Sequence, residues 1–192
     1  MGKKIDDSVY DAALNKIKTD CDQMTICKGE PATVYEAIDP PQWAASTAYQ
    51  IGDAVRPATR DGNVYECTTA GTSGGSEPTF DVTPGNTTND NGVVWTARAS
   101  KAYAAQAMVA GDFSIANGDT SGRKVNVAAK SGITNHRSGT ALDHAALIDK
   151  GVIGSDDPVL LAVTTLTATI NVNSPGTTDL AAFDALELLD PT

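Results

Sequence analysis

Residues 41–99 read PQWAASTAYQ IGDAVRPATR DGNVYECTTA GTSGGSEPTF DVTPGNTTND NGVVWTARA. The stretch holds both tryptophans of the chain, Trp43 and Trp95, near its two ends. With Tyr49, Tyr65 and Phe80 it carries five aromatics, half of those in the protein. Pro40-Pro41 opens it, and the polar run from Thr96 to Lys101 closes it. Such a concentration of large rings between loop signals reads as a small module with its own core, set into another domain. Insertion is tolerated where a chain turns at an exposed loop tip, because few backbone hydrogen bonds are lost there.

Outward from this segment, the flanks read as one domain of residues 1–40 and 100–192. Residues 6–20 have helical spacing, with Asp6 or Asp7 as N-cap and an apolar stripe of Val9, Tyr10, Ala13, Leu14 and Ile17. Gly29-Glu30-Pro31 blocks any continuation. Met24–Cys27 reads as a first strand, and Val34-Tyr35 as a short extended piece. After the insert, Tyr103–Phe113, Arg123–Val127, Thr140–Ile148, Val159–Val172 and Phe183–Leu189 read as β. Val125 and Val127 share one face, as do Leu186 and Leu188, with Glu187 on the other. Turn signals at Asn117-Gly118-Asp119, Ser131-Gly132, Ser138-Gly139 and Ser174-Pro175-Gly176 separate these runs. The expected fold is therefore mainly β: an antiparallel, sandwich-like outer domain with one N-terminal helix, plus a small inserted β module.

Composition narrows function. A net charge of −10 with 14 Lys+Arg repels a phosphate backbone, so nucleic acid is not an expected partner. No stretch is long and apolar enough for a membrane helix, and Met-Gly-Lys-Lys-Ile lacks the apolar run of a secretory signal. Three cysteines, Cys21, Cys27 and Cys67, are odd in number and widely spaced, which predicts reduced, buried thiols and synthesis in a cytosol. Beyond Lys150 the chain has no Lys or Arg, and six acids: Asp156, Asp157, Asp179, Asp184, Glu187 and Asp190. That acidic end reads as a solvated face or as a dock for a basic neighbour.

Motifs of catalysis do not hold together. Gly71-Thr72-Ser73-Gly74-Gly75 has the spacing of a nucleophile elbow, but Glu77-Pro78 follows where a helix is required. Asn89-Asp90-Asn91-Gly92 has calcium-loop residues in a frame that puts Arg98 where the bidentate Glu belongs, so it reads as a hairpin turn. His136 and His144 are too far apart for one helix face. No catalytic residue, metal ligand or cofactor is expected, and the chain reads as a non-enzyme.

Two resemblances add to this. The order Trp43, Tyr49, Ile51-Gly52-Asp53-Ala54-Val55, Tyr65-Glu66-Cys67, Ala70-Gly71-Thr72-Ser73-Gly74, Glu77-Pro78 and Asp90-Asn91-Gly92-Val93-Val94-Trp95 resembles the small carbohydrate-binding modules of chitinases and cellulases. Closer versions of it are repeated in bacteriophage tail and virion proteins. The resemblance implies weak glycan binding, with Trp43, Tyr49, Tyr65 and Trp95 as the binding candidates. Trp43 and Tyr49 are expected as the exposed platform, Tyr65 and Trp95 as packed rings. A pyranose lays its apolar C–H face on an aromatic ring, and one half-covered ring gives about 1–2 kcal/mol. Binding near millimolar gains from many copies by roughly 10²–10⁴.

The flanks carry Asp11-Ala12-Ala13-Leu14, Met24-Thr25-Ile26-Cys27, Gly111-Asp112-Phe113, Ala116-Asn117-Gly118-Asp119, Ser121-Gly122-Arg123-Lys124-Val125 and a terminal Asp190-Pro191-Thr192. This is similar to a family of small proteins encoded among tailed-phage virion genes. The resemblance implies a virion protein made in the host cytoplasm, decorating a capsid exterior. Its implied partners are the major capsid protein or other virion proteins, copies of itself, and host surface polysaccharide. A neck, tail, collar or fibre-adaptor role is the alternative within that class. A free carbohydrate-binding protein or the accessory module of a hydrolase is the alternative outside it.

Overall fold

The computed structural model describes residues 5–190; Pro191 and Thr192, which the flank resemblance uses, lie outside the described residues. The chain is mainly β, with antiparallel sheets and one long helix. In chain order it runs α1 (Asp7–Asp20), β1 (Gln23–Cys27), α2 (Val34–Ala37), β2 (Ala48–Tyr49), β3 (Ala54–Val55) and β4 (Asn63–Thr69). There follow β5 (Gly71–Thr72), β6 (Thr87–Asp90), β7 (Val93–Ala99), β8 (Ala102–Ala107) and β9 (Phe113–Asn117). The rest is β10 (Arg123–Val127), β11 (Lys130–Asn135), β12 (Gly139–Asp149), β13 (Val159–Val172), β14 (Gly176–Leu180) and β15 (Phe183–Leu188). Two compact units result. The first comprises residues 1–30, 103–149 and 160–192, and the second 31–102 and 150–159.

The first unit is built from a six-stranded sheet, ordered β13-β12-β1-β8-β11-β14, and a three-stranded sheet, β15-β10-β9. Both sheets and α1 line one apolar core containing Leu14, Met24, Ile26, Phe113, Val125, Ile133 and Leu147, which makes the unit sandwich-like. β1 is buried at every position, as a central strand covered on both faces must be. It pairs antiparallel with β12, setting Met24 against Leu147 and Ile26 against Ala145. Each such fully buried side chain contributes about 1.5–3 kcal/mol by area removed from water. β8, which follows the long insertion, lies beside β1, which precedes it.

The helix begins where Asp6 caps it, accepting the Ser8 N–H at 2.9 Å. Its buried stripe is Tyr10, Leu14 and Ile17; Val9 and Ala13, placed on that stripe by spacing, face outward. Arg123 on β10 donates to Asp11 at 2.7 Å and ties the helix to the smaller sheet. The pair is solvent-screened, so it orients the helix more than it stabilises the fold.

Val125 and Val127 are both fully buried on one face, as their alternation predicts. Phe183–Leu188 departs from alternation. The β10–β15 register slips between Val125 and Asn126, so Ala185 turns inward and Leu186 becomes exposed. A bulge of this kind resets which face each residue occupies; Leu186 and Leu188 stay in one continuous register beyond it, and only Leu188 packs on the core. Gly122 opens β10 at φ +71°, and a Cβ there would sit 1.9 Å from the Leu188 carbonyl oxygen, so this turn requires glycine.

The second unit holds a four-stranded sheet, β3-β4-β7-β6, and the short pair β2-β5. Residues 34–37, expected to be extended, form a single helical turn, because the Thr33 hydroxyl accepts the Glu36 N–H and Ile38 N–H bonds back to Val34. Asn91 and Gly92 both have positive φ (48° and 108°), the geometry of the two-residue hairpin that joins β6 to β7. This unit exceeds the 41–99 segment. It takes in residues 31–40, residues 100–102 and, from the connection between β12 and β13 through the first residue of β13, residues 150–159.

All three cysteines are free and buried. Burial pushes the Cys21 and Cys67 thiols up to about 11 from an ordinary 9.0. The unfolded chain therefore releases these protons first. Their contribution to stability is complete below pH 9 and is lost as pH rises through about 11. Native protein should resist iodoacetamide at pH 8 and show falling Tm above pH 9, read by mass spectrometry and calorimetry; rapid native alkylation would contradict this burial.

Candidate functional site

The aromatic residues that single out the second unit are assembled by β4, β7, β2 and the strand-entry segment at Trp43. Trp95 and Tyr65 are wholly buried, as expected, Tyr49 is 3 % exposed and Trp43 8 % exposed. Tyr49 meets Trp95 edge-on with ring centroids 4.8 Å apart, and Tyr65 stacks on Phe80 at 4.1 Å. Val55, Cys67, Val93 and Ala97 complete the cluster. The expectation that Trp43 and Tyr49 form an exposed platform is thus corrected: all four candidate rings are core. A unit of this size reaches a folded core only by burying its largest apolar groups, and those groups are these rings.

Two buried carboxylates, Asp90 and Asp53, organise this core. Asp90, at the end of β6, is 5 % exposed. Its Oδ2 accepts the Trp43 indole N–H at 2.8 Å and the Trp95 indole N–H at 3.1 Å. Its Oδ1 accepts the Gly74 backbone N–H at 2.7 Å. A Cβ at Gly74 would sit 3.0 Å from that oxygen, so the glycine lets the acid approach the backbone. The motifs around Gly74, Asp90 and Trp95 thereby meet at one point, with Trp43 as the fourth member.

Asp53, just before β3, also gathers backbone donors. It is 2 % exposed, accepts the Gln50 N–H at 2.7 Å, and receives the Gly154 N–H with both oxygens at 3.1 and 3.0 Å. This latches residues 150–159 onto the unit, where Ile153 packs on the aromatic cluster. The signal for both acids is an aspartate beside short apolar strand residues, which a buried backbone needs as an acceptor.

Ser73, the nominal elbow serine, is buried; its hydroxyl donates to the Ala44 carbonyl at 2.7 Å and accepts the Thr47 N–H at 3.0 Å. Asn89–Gly92 serves as the hairpin already described. His144 Nδ1 lies 2.9 Å from Asp143 in the first unit.

The second unit also has an open pocket of about 420 Å³, lined by Tyr35, Glu36, Glu66, Pro84, Gly85 and Arg98 among others. Arg98 Nε donates to Glu66 at 2.7 Å and Lys101 pairs with Glu36 at 2.9 Å. The Tyr35 hydroxyl donates to the Gly52 carbonyl at 3.0 Å. Burial, with the Glu66 charge next, pushes this phenol up to about 12, so it stays a neutral donor. The pocket therefore joins one aromatic ring, Tyr35, to polar groups of both signs, features that suit a hydroxyl-rich ligand.

Comparison of the chain with family models, curated proteins and solved structures returns no match. No helix among the described residues is long and apolar enough to cross a membrane.

Proposed function

We propose that the chain is a non-enzymatic structural protein of a tailed-phage particle, decorating the capsid exterior, with the first unit as carrier and the second as the unit it presents. The adjacency of β1 and β8, which precede and follow the long insertion, supports the host-and-insert part of this reading, and the motif likenesses alone support the particle role. The carrier sheet closes across the insertion, as a domain that hosts a second one must. The motif likenesses of both units to virion proteins give the particle its place in the reading. Weak glycan contact belongs to the second unit, and the open pocket at Tyr35, Glu66 and Arg98 is the surface suited to it, the four rings being enclosed.

Mass spectrometry and cryo-EM of purified particles test the proposal. A copy number on the order of hundreds per particle supports decoration, and roughly six to eighteen supports a neck, collar or tail position. Absence of the protein from particles overturns the reading. Absence combined with glycan-array binding by the isolated chain would favour a free carbohydrate-binding protein.

A further inference from the structure

The chain contains two Asn-Gly pairs, Asn91-Gly92 between β6 and β7 and Asn117-Gly118 between β9 and β10. An asparagine followed by glycine is open to attack on its own side chain, because glycine lacks the Cβ that would shield the next backbone nitrogen. The structure separates the two pairs. Gly118 donates its N–H to the Gly122 carbonyl at 2.9 Å, and Arg123 donates to the Asn117 side-chain oxygen. A Cβ at Gly118 would lie 2.1 Å from the Ser121 carbonyl oxygen, so neighbours close in on that turn. Asn91 and Gly92 are both exposed. The Gly92 N–H has no acceptor among the described residues, and nothing stands within 4 Å of a Cβ built there. The Asn91 side-chain amide makes one long bond, from Nδ2 to the Thr72 carbonyl at 3.4 Å.

We propose that Asn91 is a self-modification site, at which the amide is lost and the backbone is re-routed through the side chain. The Gly92 nitrogen gives up its proton and bonds to Asn91 Cγ. The Cγ–Nδ2 bond breaks, and that nitrogen leaves with the proton as ammonia. Water then opens the five-membered imide that remains. Opening at Cγ gives aspartate with an unchanged backbone. Opening at the original backbone carbonyl gives isoaspartate, whose peptide link runs through Cβ and Cγ and is one carbon longer. The position gives this change a consequence. Asp90, the residue before, holds the indole N–H groups of Trp43 and Trp95 and pairs with Val93 across the hairpin. Gly92 is seated on the backbone of Gly71, where a Cβ would lie 2.7 Å from the Gly92 carbonyl carbon and oxygen. A turn one carbon longer cannot keep both the pairing of Asp90 with Val93 and that close contact. Isoaspartate at position 91 therefore draws Asp90 away from the two tryptophans.

This inference is independent of the proposed function. Storage of the full-length protein at neutral and at mildly alkaline pH tests it, read by peptide mass spectrometry with fragmentation that distinguishes isoaspartate from aspartate. Asn91 should convert at least about tenfold faster than Asn117, where a hydrogen bond must first be broken. Conversion should be faster at the higher pH, because the attacking nitrogen must lose a proton. Aged protein rich in isoaspartate should unfold at lower denaturant, followed by tryptophan emission. Asn91→Gly, which suits the positive φ of 48° and has no side-chain amide, should age with no change in that midpoint. Freshly made Asn91→Asp should match unaged protein, which separates added charge from added backbone length. Should Asn91→Gly fail to fold, the ratio of Asn91 to Asn117 conversion in the unaltered chain still decides. Asn117 converting as fast as Asn91, or isoaspartate at position 91 with an unmoved midpoint, overturns the inference.

Discussion

Trp43→Ala is expected to unfold the second unit, with a loss of about 3–5 kcal/mol, the usual cost of truncating a buried tryptophan. Trp43 contributes its ring to the aromatic cluster and its indole N–H to Asp90. Removal leaves a cavity and one fewer donor on a buried carboxylate. Both tryptophans lie in this unit, so the fluorescence of Trp95 reports its unfolding directly, while the first unit is followed by far-ultraviolet circular dichroism. A variant that kept native Trp95 fluorescence and Tm, and lost only polysaccharide pull-down, would restore Trp43 to the role of exposed platform.

Asp90→Ala should cost about 3 kcal/mol or more, from a different cause. The volume change is small, but two indole N–H groups and the Gly74 N–H lose a charged acceptor inside the unit. Hydrogen bonds to a charged partner contribute about 1.5–3 kcal/mol, and stranded buried donors carry a desolvation cost. Denaturant unfolding followed by tryptophan emission measures the loss. The double variant with Trp43→Ala should be less destabilised than the two single losses added together, because both remove the same hydrogen bond. Simple additivity would show that Asp90 and Trp43 act separately.

Much of the fold was legible because strong local signals agreed with the tertiary structure. The Asp6 cap, the Leu14–Ile17 spacing and the Val125/Val127 alternation each correspond to a buried face. The misreadings share a cause, namely contacts distant in sequence. Ala185 turns inward because of a register slip against β10, which no pattern within Phe183–Leu189 announces. Residues 150–159 join the second unit through Asp53, about a hundred positions earlier, and nothing in their own composition shows it. The local sequence does not place Trp43, because an aromatic at the start of a module serves equally as platform or as core. What decides is an acceptor for its indole N–H, and that acceptor is on the far side of the segment. Asp90 itself looked like turn chemistry because it adjoins Asn91-Gly92, and it does both jobs at once.

The second excursion of the chain, residues 150–159, bears on the order in which the protein takes shape during synthesis. The last piece of the second unit leaves the ribosome before β13, β14 and β15 have been made. When Gly154 reaches Asp53, everything that encloses Trp43 and Trp95 already exists, whereas the first unit still lacks the strands that bring Val172, Leu180 and Ala185 to its core. Domains assemble as units while the chain is delivered from its amino end. The second unit can therefore finish first, while the first unit, whose opening strand is translated earliest, is completed only when β13, β14 and β15 have been made.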